Sequence, residues 1–301
     1  MNKWLTKAFS QCVVLLRGCR WSLLLLPVLT LLLMFFLVPM SNMARMAFLK
    51  YDPIRLYMPI FTTGNFLKFF GDYYYWGMLL NSLKIGVLTS LFSLLLGYPM
   101  AYYLTRSKGT ERTILTGCIL LPIFTTVVII ALGWYVIFLP YGLAQKLLAA
   151  LGITNGPIKV LRTSPMLIAV LVHAHIPYAI MILASSIQAV PDEKLQAARV
   201  LGAPGWRVIW SVMIPLTMPG IVSSAILVFS LSASSYLIPA LITGHKIKLL
   251  PIAIWSYTSE LLNWPFASAI ALVLFIVTLS VTYGFIVTTN KLSRRGQWEV
   301  V

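Results

Sequence analysis

Val190-Pro191-Asp192-Glu193-Lys194-Leu195-Gln196-Ala197-Ala198-Arg199-Val200-Leu201-Gly202-Ala203-Pro204-Gly205-Trp206-Arg207 stands between two long uncharged blocks of the chain. Pro191 followed by Asp192 and Glu193 is a helix start, with the acids against the positive end of the helix dipole. Ala197 and Ala198 are small helix formers that let another surface come close. Gly202 ends the helix, because glycine accepts the left-handed conformation there. Pro204-Gly205 turns the chain, and Trp206 to Val212 predicts a second short helix running into the next apolar block at Pro215. The stretch therefore predicts a rigid elbow of two short helices.

The blocks on either side set the fold class. Upstream lie Trp21 to Met40, Ile85 to Leu104, Thr113 to Gln145 and Thr163 to Val190; downstream lie Val208 to Gly244 and Leu261 to Asn290. None contains Asp, Glu, Lys or Arg. About 20 apolar residues cross the hydrocarbon core. The last four blocks exceed one crossing, so part of each is predicted as loop or interfacial helix. Pro140-Tyr141-Gly142 interrupts the third, and Leu143, Leu147 and Leu151 then recur at helical spacing, predicting a short surface helix. Trp21 to Met40 is longer than a signal-peptide core, and Met40-Ser41-Asn42-Met43-Ala44 is a poor cleavage site, so this block is read as a retained helix. Spans in lipid must satisfy their own backbone. The prediction is an all-α polytopic membrane protein with six transmembrane helices.

An even count puts both termini on one side. With the amino end inside, the inner segments hold Lys3, Lys7, Arg17, Arg20, Arg106, Lys108, Arg112, Lys194, Arg199, Arg207, Lys291, Arg294 and Arg295. The longer outer segments hold Arg45, Lys50, Arg55, Lys68, Lys146, Lys159, Arg162, Lys246 and Lys248, with Lys84 at a helix entrance. Basic density thus favours cytoplasmic termini.

Composition agrees. Of 301 residues 59% are hydrophobic and 10% charged, and the mean hydropathy is +0.89; a soluble domain carries about 25% charged residues. The net charge of +16 does not indicate nucleic acid, because the basic residues form short clusters between apolar blocks and no groove-sized surface. Cys12, Cys19 and Cys118 have neither disulfide nor zinc spacing.

The elbow resembles the signature loop of binding-protein-dependent ABC importer permeases. That motif reads Glu-Ala-Ala, three residues, Gly, nine residues, Ile, one residue, Leu-Pro. This chain has Gln196-Ala197-Ala198, Gly202, then Val212-Met213-Ile214-Pro215, with every spacing kept. Gln196 replaces the acid, which changes an ionic contact into an amide hydrogen bond. The resemblance spans roughly Tyr75 to Asn290 and implies the ABC type I importer transmembrane fold. Its implied organisation is residues 1–74 as amino end, first helix and periplasmic loop; 75–290 as the transmembrane domain; and 291–301 as cytoplasmic tail. It also implies a coupling loop of Gln196, Ala197, Ala198, Gly202, Val212, Ile214 and Pro215 that docks on a cytoplasmic ATP-binding subunit dimer. A second homologous permease and a periplasmic solute-binding protein complete the assembly, in the bacterial inner membrane among its lipid. The chain has no GxxxxGK[ST] phosphate loop, so it is not expected to be an enzyme or to bind a cofactor.

Phe229 to Gly244 further resembles the spermidine/putrescine permease subunits, although an acid common before the aromatic residue is Ser235 here. Candidate pathway residues are Trp134, His175, Tyr178, Ser234, Ser235 and Tyr236, whose rings and hydroxyls suit an organic cation; Trp and Tyr equally mark membrane interfaces. His173 and His175 lack partners for a metal. Pro99, Pro122, Pro177, Pro219 and Pro239 read as kinks or as hinges. The alternatives are an ion-coupled secondary transporter, disfavoured because deep charged residues are missing, and a membrane scaffold, which needs no such elbow.

Overall fold

The computed structural model describes residues 27–152, 160–244 and 246–295. The tail beyond 295 and the basic residues Lys3, Lys7, Arg17, Arg20 and Lys159 lie outside them, as do Cys12 and Cys19. Among the described residues four helices are long and apolar enough to cross a membrane: α1 (Pro27–Ala47), α3 (Tyr73–Arg106), α7 (Ser164–Gln188) and the first part of α14 (Trp264–Arg295). The count reaches six when two bent pairs are taken as spans.

Two of those six spans are bent. The third apolar block divides into α4 (Gly109–Phe124) and α5 (Val127–Ile137), which meet at 96°. Thr126 caps α5 by accepting the Ile129 N–H, so the break is a built corner. The surface helix follows as α6 (Leu143–Ala150). In the fifth block the segment Gly205–Leu216 is bent by 69° from α11 (Met218–Ala233). A second break at 234–236 separates off α12 (Leu237–Thr243). The first helix also differs from its sequence bounds. It runs past Met40 to Ala47 and takes Arg45 with it.

The centre of the bundle is α3, α7 and α11, packed against one another. α7 is its most buried helix, with Leu167, Val170, Leu171, Ala179 and Leu183 fully enclosed. Small residues let the helices approach. A Cβ on Gly86 of α3 would lie 3.0 Å from Phe229 of α11, and one on Gly220 of α11 would collide with Ser186 of α7. α5 and α12, the helix that follows the second break, pack on each other.

The prolines sort by position. Pro219 lies in the first turn of α11 and Pro239 is the third residue of α12, where a missing N–H costs nothing. Pro122 precedes the α4–α5 corner, whereas Pro99 and Pro177 sit inside continuous helices. Pro99, Pro122 and Pro177 together line one cavity of about 460 Å³ between α3, α4 and α7.

Among the described residues one small exception to the all-helical pattern lies between α1 and α3. β1 (Leu49–Asp52) and β2 (Leu56–Phe61) form an antiparallel hairpin, followed by α2 (Gly64–Gly71). Asp52 closes its turn by accepting the N–H groups of Ile54 at 2.8 Å and Arg55 at 2.7 Å. These bonds hold its carboxyl below the usual carboxylate range. The Tyr51 hydroxyl donates to the Leu261 carbonyl, tying the hairpin to the start of the last span.

Candidate functional site

The elbow comprises α8 (Asp192–Val200) and α9 (Gly205–Val208), then a π-helical turn, Ile209–Met213, and α10 (Ile214–Leu216). Asp192 and Glu193 occupy the first turn of α8, as their dipole preference requires. Gly202 has φ +80°. Its N–H bonds the Arg199 carbonyl at 2.9 Å, and the Ala203 N–H bonds the Ala198 carbonyl at 3.1 Å. The pair of bonds is a complete Schellman motif. Glycine is needed there for its backbone, since an added Cβ would meet nothing within 4 Å.

The elbow has two faces. Leu195, Val208 and Met213 are buried with Leu104 and Ile187 in one apolar cluster, with Ala198, Ala203 and Val212 packed on its edge. That face fastens the elbow to the bundle. The opposite face carries Gln196 and Ala197, exposed, and Val200 and Leu201, each 87% exposed. Trp206 and Trp210 are exposed at 63% and 67%. Such apolar side chains left open mark an interaction surface. The motif residues thus divide: Gln196 and Ala197 point outward, Gly202 shapes the corner, and Ala198, Val212, Ile214 and Pro215 are half-buried against the bundle. Ala198 therefore serves the inner face, although its spacing suggested the outer one.

Two ties to α3 were not legible in the sequence. Arg106 meets Asp192 at 3.4 Å, an exposed pair of small energetic weight. At the 69° bend, buried Thr217 bonds the Tyr98 hydroxyl at 3.0 Å and donates to the Met213 carbonyl. Only the fold brings Tyr98 to Thr217.

The pathway candidates do not form one cluster. His173 and His175, two apart on α7, face different sides. His175 is buried, its Nδ1 3.0 Å from the Ser232 hydroxyl, while Trp134 of α5 donates its indole N–H to His173 at 3.1 Å. Tyr178 and Ser235 are half-buried. Ser234 and Tyr236 do come together, at a cavity of about 680 Å³ between α1, α11, α14 and the segment before α14. That segment is α13 (Leu250–Trp255) with a π-helical turn, Ser256–Glu260. Trp255 stacks on Tyr236 with ring centres 5.2 Å apart and planes 17° apart. The sequence signal for it was weak, as Leu249 to Ile254 is too short for a span and reads as loop.

A bundle of apolar helices with two broken spans, joined by a glycine-cornered elbow, defines a transport subunit, and the chain belongs to the family described as binding-protein-dependent transport system inner membrane component, whose model matches residues 93–289. It is an ABC importer permease of the inner membrane, spanning it several times. The chain is 29% identical over 268 residues to the spermidine/putrescine transport system permease protein PotB of Haemophilus influenzae, covering 89% of this chain and 93% of that one. To PotB of Escherichia coli K12 it is 30% identical over 246 residues, covering 82% and 89%. Among solved structures, the bacterial alginate ABC transporter in complex with alginate pentasaccharide-bound periplasmic protein contains a chain that matches with TM-score 0.75 at 19% identity, over 92% of this chain and 96% of that one. An inward-facing MetNI methionine ABC transporter matches with TM-score 0.51 at 14% identity, over 72% and 94%. At these identities the structures show the fold.

Proposed function

We propose that this chain is the permease subunit of an ATP-driven importer of polyamines or similar small organic solutes, pairing with a second homologous permease to enclose the translocation pathway. The elbow carries this reading. Its inner face is built into the bundle core and its outer face holds Val200 and Leu201 open at 87% each. A rigid lever of that kind suits docking into a cytoplasmic ATP-binding subunit, one under each permease, and needs no cofactor or phosphate loop on this chain. ATP closes the ATPase dimer, the elbow passes that motion through Leu195, Val208 and Met213, and the paired bundles open outward. A periplasmic solute-binding protein then delivers the substrate. Both termini lie on the elbow's side, in the cytoplasm.

The two PotB relatives support the substrate class. Trp134, His175, Tyr178, Ser234, Ser235 and Tyr236 are the pathway residues proposed for it. The decisive test is uptake of spermidine and putrescine into vesicles holding the whole transporter, with the proton gradient collapsed and ATP maintained. Uptake is expected to persist, and to stop when the partner ATPase is inactivated. Uptake without an active ATPase would favour an ion-coupled carrier.

A further inference from the structure

We infer that the cavity between α1, α11, α13 and α14 is a subsite for the primary ammonium end of a linear aliphatic amine, with Trp255, Thr258 and Thr278 as specificity determinants beside Tyr236 and Ser234. The inference rests on the importer reading above and names how its site would select substrate.

Three observations carry it. First, three hydroxyls on the cavity wall have their protons committed to helix carbonyls. Ser234 donates to the Ser230 carbonyl at 2.7 Å, Thr258 to the Ile254 carbonyl at 2.7 Å, and Thr278 to the Leu274 carbonyl at 2.8 Å. A hydroxyl with its one proton committed offers only lone pairs. These three line the same cavity, so it presents acceptors, which match a group with several N–H donors. Second, the Tyr236–Trp255 stack borders the cavity. Aromatic faces attract a cation, indole most strongly. Third, the wall is otherwise mostly apolar, including Ile254, Leu274 and Phe275 beside the hydroxyl residues Ser230, Ser259 and Thr282, and no charged residue lines it among the described residues. Methylene groups between ammonium ends find a matching surface there, at a volume of about 680 Å³ in the range of small-ligand sites.

Selection without a carboxylate in the cavity wall has a physical advantage; the neighbouring Glu260 carboxylate accepts from the Ser256 hydroxyl and does not line the cavity. A buried carboxylate would hold an ammonium tightly, whereas lone pairs and π faces attract it weakly enough for release, which conduction through a pathway demands.

The test uses the full transporter with its ATPase, second permease and binding protein, in vesicles, with radiolabelled putrescine as probe. Levels are normalised to permease in the membrane, and ATP hydrolysis stimulated by the loaded binding protein reports intact docking. Trp255→Leu is expected to lower saturated uptake roughly tenfold, the size of a desolvated cation–π contact, while Trp255→Phe recovers most of it. The Thr258→Val/Thr278→Val double variant keeps shape, removes acceptors and is expected to lower uptake severalfold. Stimulated hydrolysis should persist in all three. Undiminished uptake in both Trp255→Leu and the double variant overturns the subsite alone. A wild-type complex that moves no aliphatic amine overturns the importer's substrate reading, and this inference with it.

Discussion

Gly202 and Gly220 are both required, for different reasons. At Gly202 the constraint is conformational: φ is +80° and space is open around it. A non-glycine residue there is penalised by about 1 kcal/mol. Gly202→Ala is therefore expected to insert and to keep most ATPase binding, whereas Gly202→Asp, which adds a charge at the proposed docking face, should insert but lose both binding and transport. Co-purification of the ATPase with tagged permease, normalised to membrane level, checks this, and wild-type binding by Gly202→Asp would refute the docking assignment. Ala197→Trp belongs with it, because Ala197 faces outward. At Gly220 the constraint is steric, as α11 presses on Ser186 of α7. Gly220→Val should destabilise the bundle by about 1–3 kcal/mol through overpacking. Its thermal unfolding in detergent should fall by several degrees while Gly202→Ala barely moves.

At the scale of elements, the broken spans and the hairpin show what ends a helix here. α4 stops at a capped corner, α8 at a glycine, and α11 at 234–236 before the Tyr236 stack. The β1–β2 turn depends on Asp52, whose carboxylate accepts two backbone N–H groups. Because its pKa is lowered in the folded state, that stabilisation is present above the carboxyl's ordinary range and lost as pH falls through the folded value. Amide exchange at Ile54 and Arg55, relative to the intrinsic rate, should therefore rise in acid. In Asp52→Ala it should be raised already at neutral pH. Exchange that is the same at both pH values in the wild type would show that the turn does not rely on the carboxylate.

For the whole molecule, orientation follows from where basic residues concentrate. Reporter fusions after Lys108, Arg199 and Arg294 are expected to read cytoplasm, and fusions after Lys68, Lys159 and Lys246 periplasm. A periplasmic signal at Arg199 would place the elbow away from ATP and overturn the coupling mechanism.

The sequence by itself determined the membrane class, the run of apolar blocks and the elbow. Each depends on local order: uncharged runs long enough to span, acids at a helix start, a glycine at a fixed distance from Gln196-Ala197-Ala198. Surface-helix spacing in Leu143, Leu147 and Leu151 was equally readable, and α6 forms there. Tertiary structure alone decided the rest. The 96° and 69° bends, the inward turn of Ala198 and the Tyr98–Thr217 tie depend on which helix lies alongside. So does the meeting of Ser234 and Tyr236 with Trp255, Thr258 and Thr278, whose positions in the chain give no sign of one cavity. In lipid, apolar composition makes a segment span but does not choose its neighbours, because lipid tails are as apolar as the helices. Close packing of small residues and hydrogen bonds between helices make that choice, and both are properties of the assembled bundle.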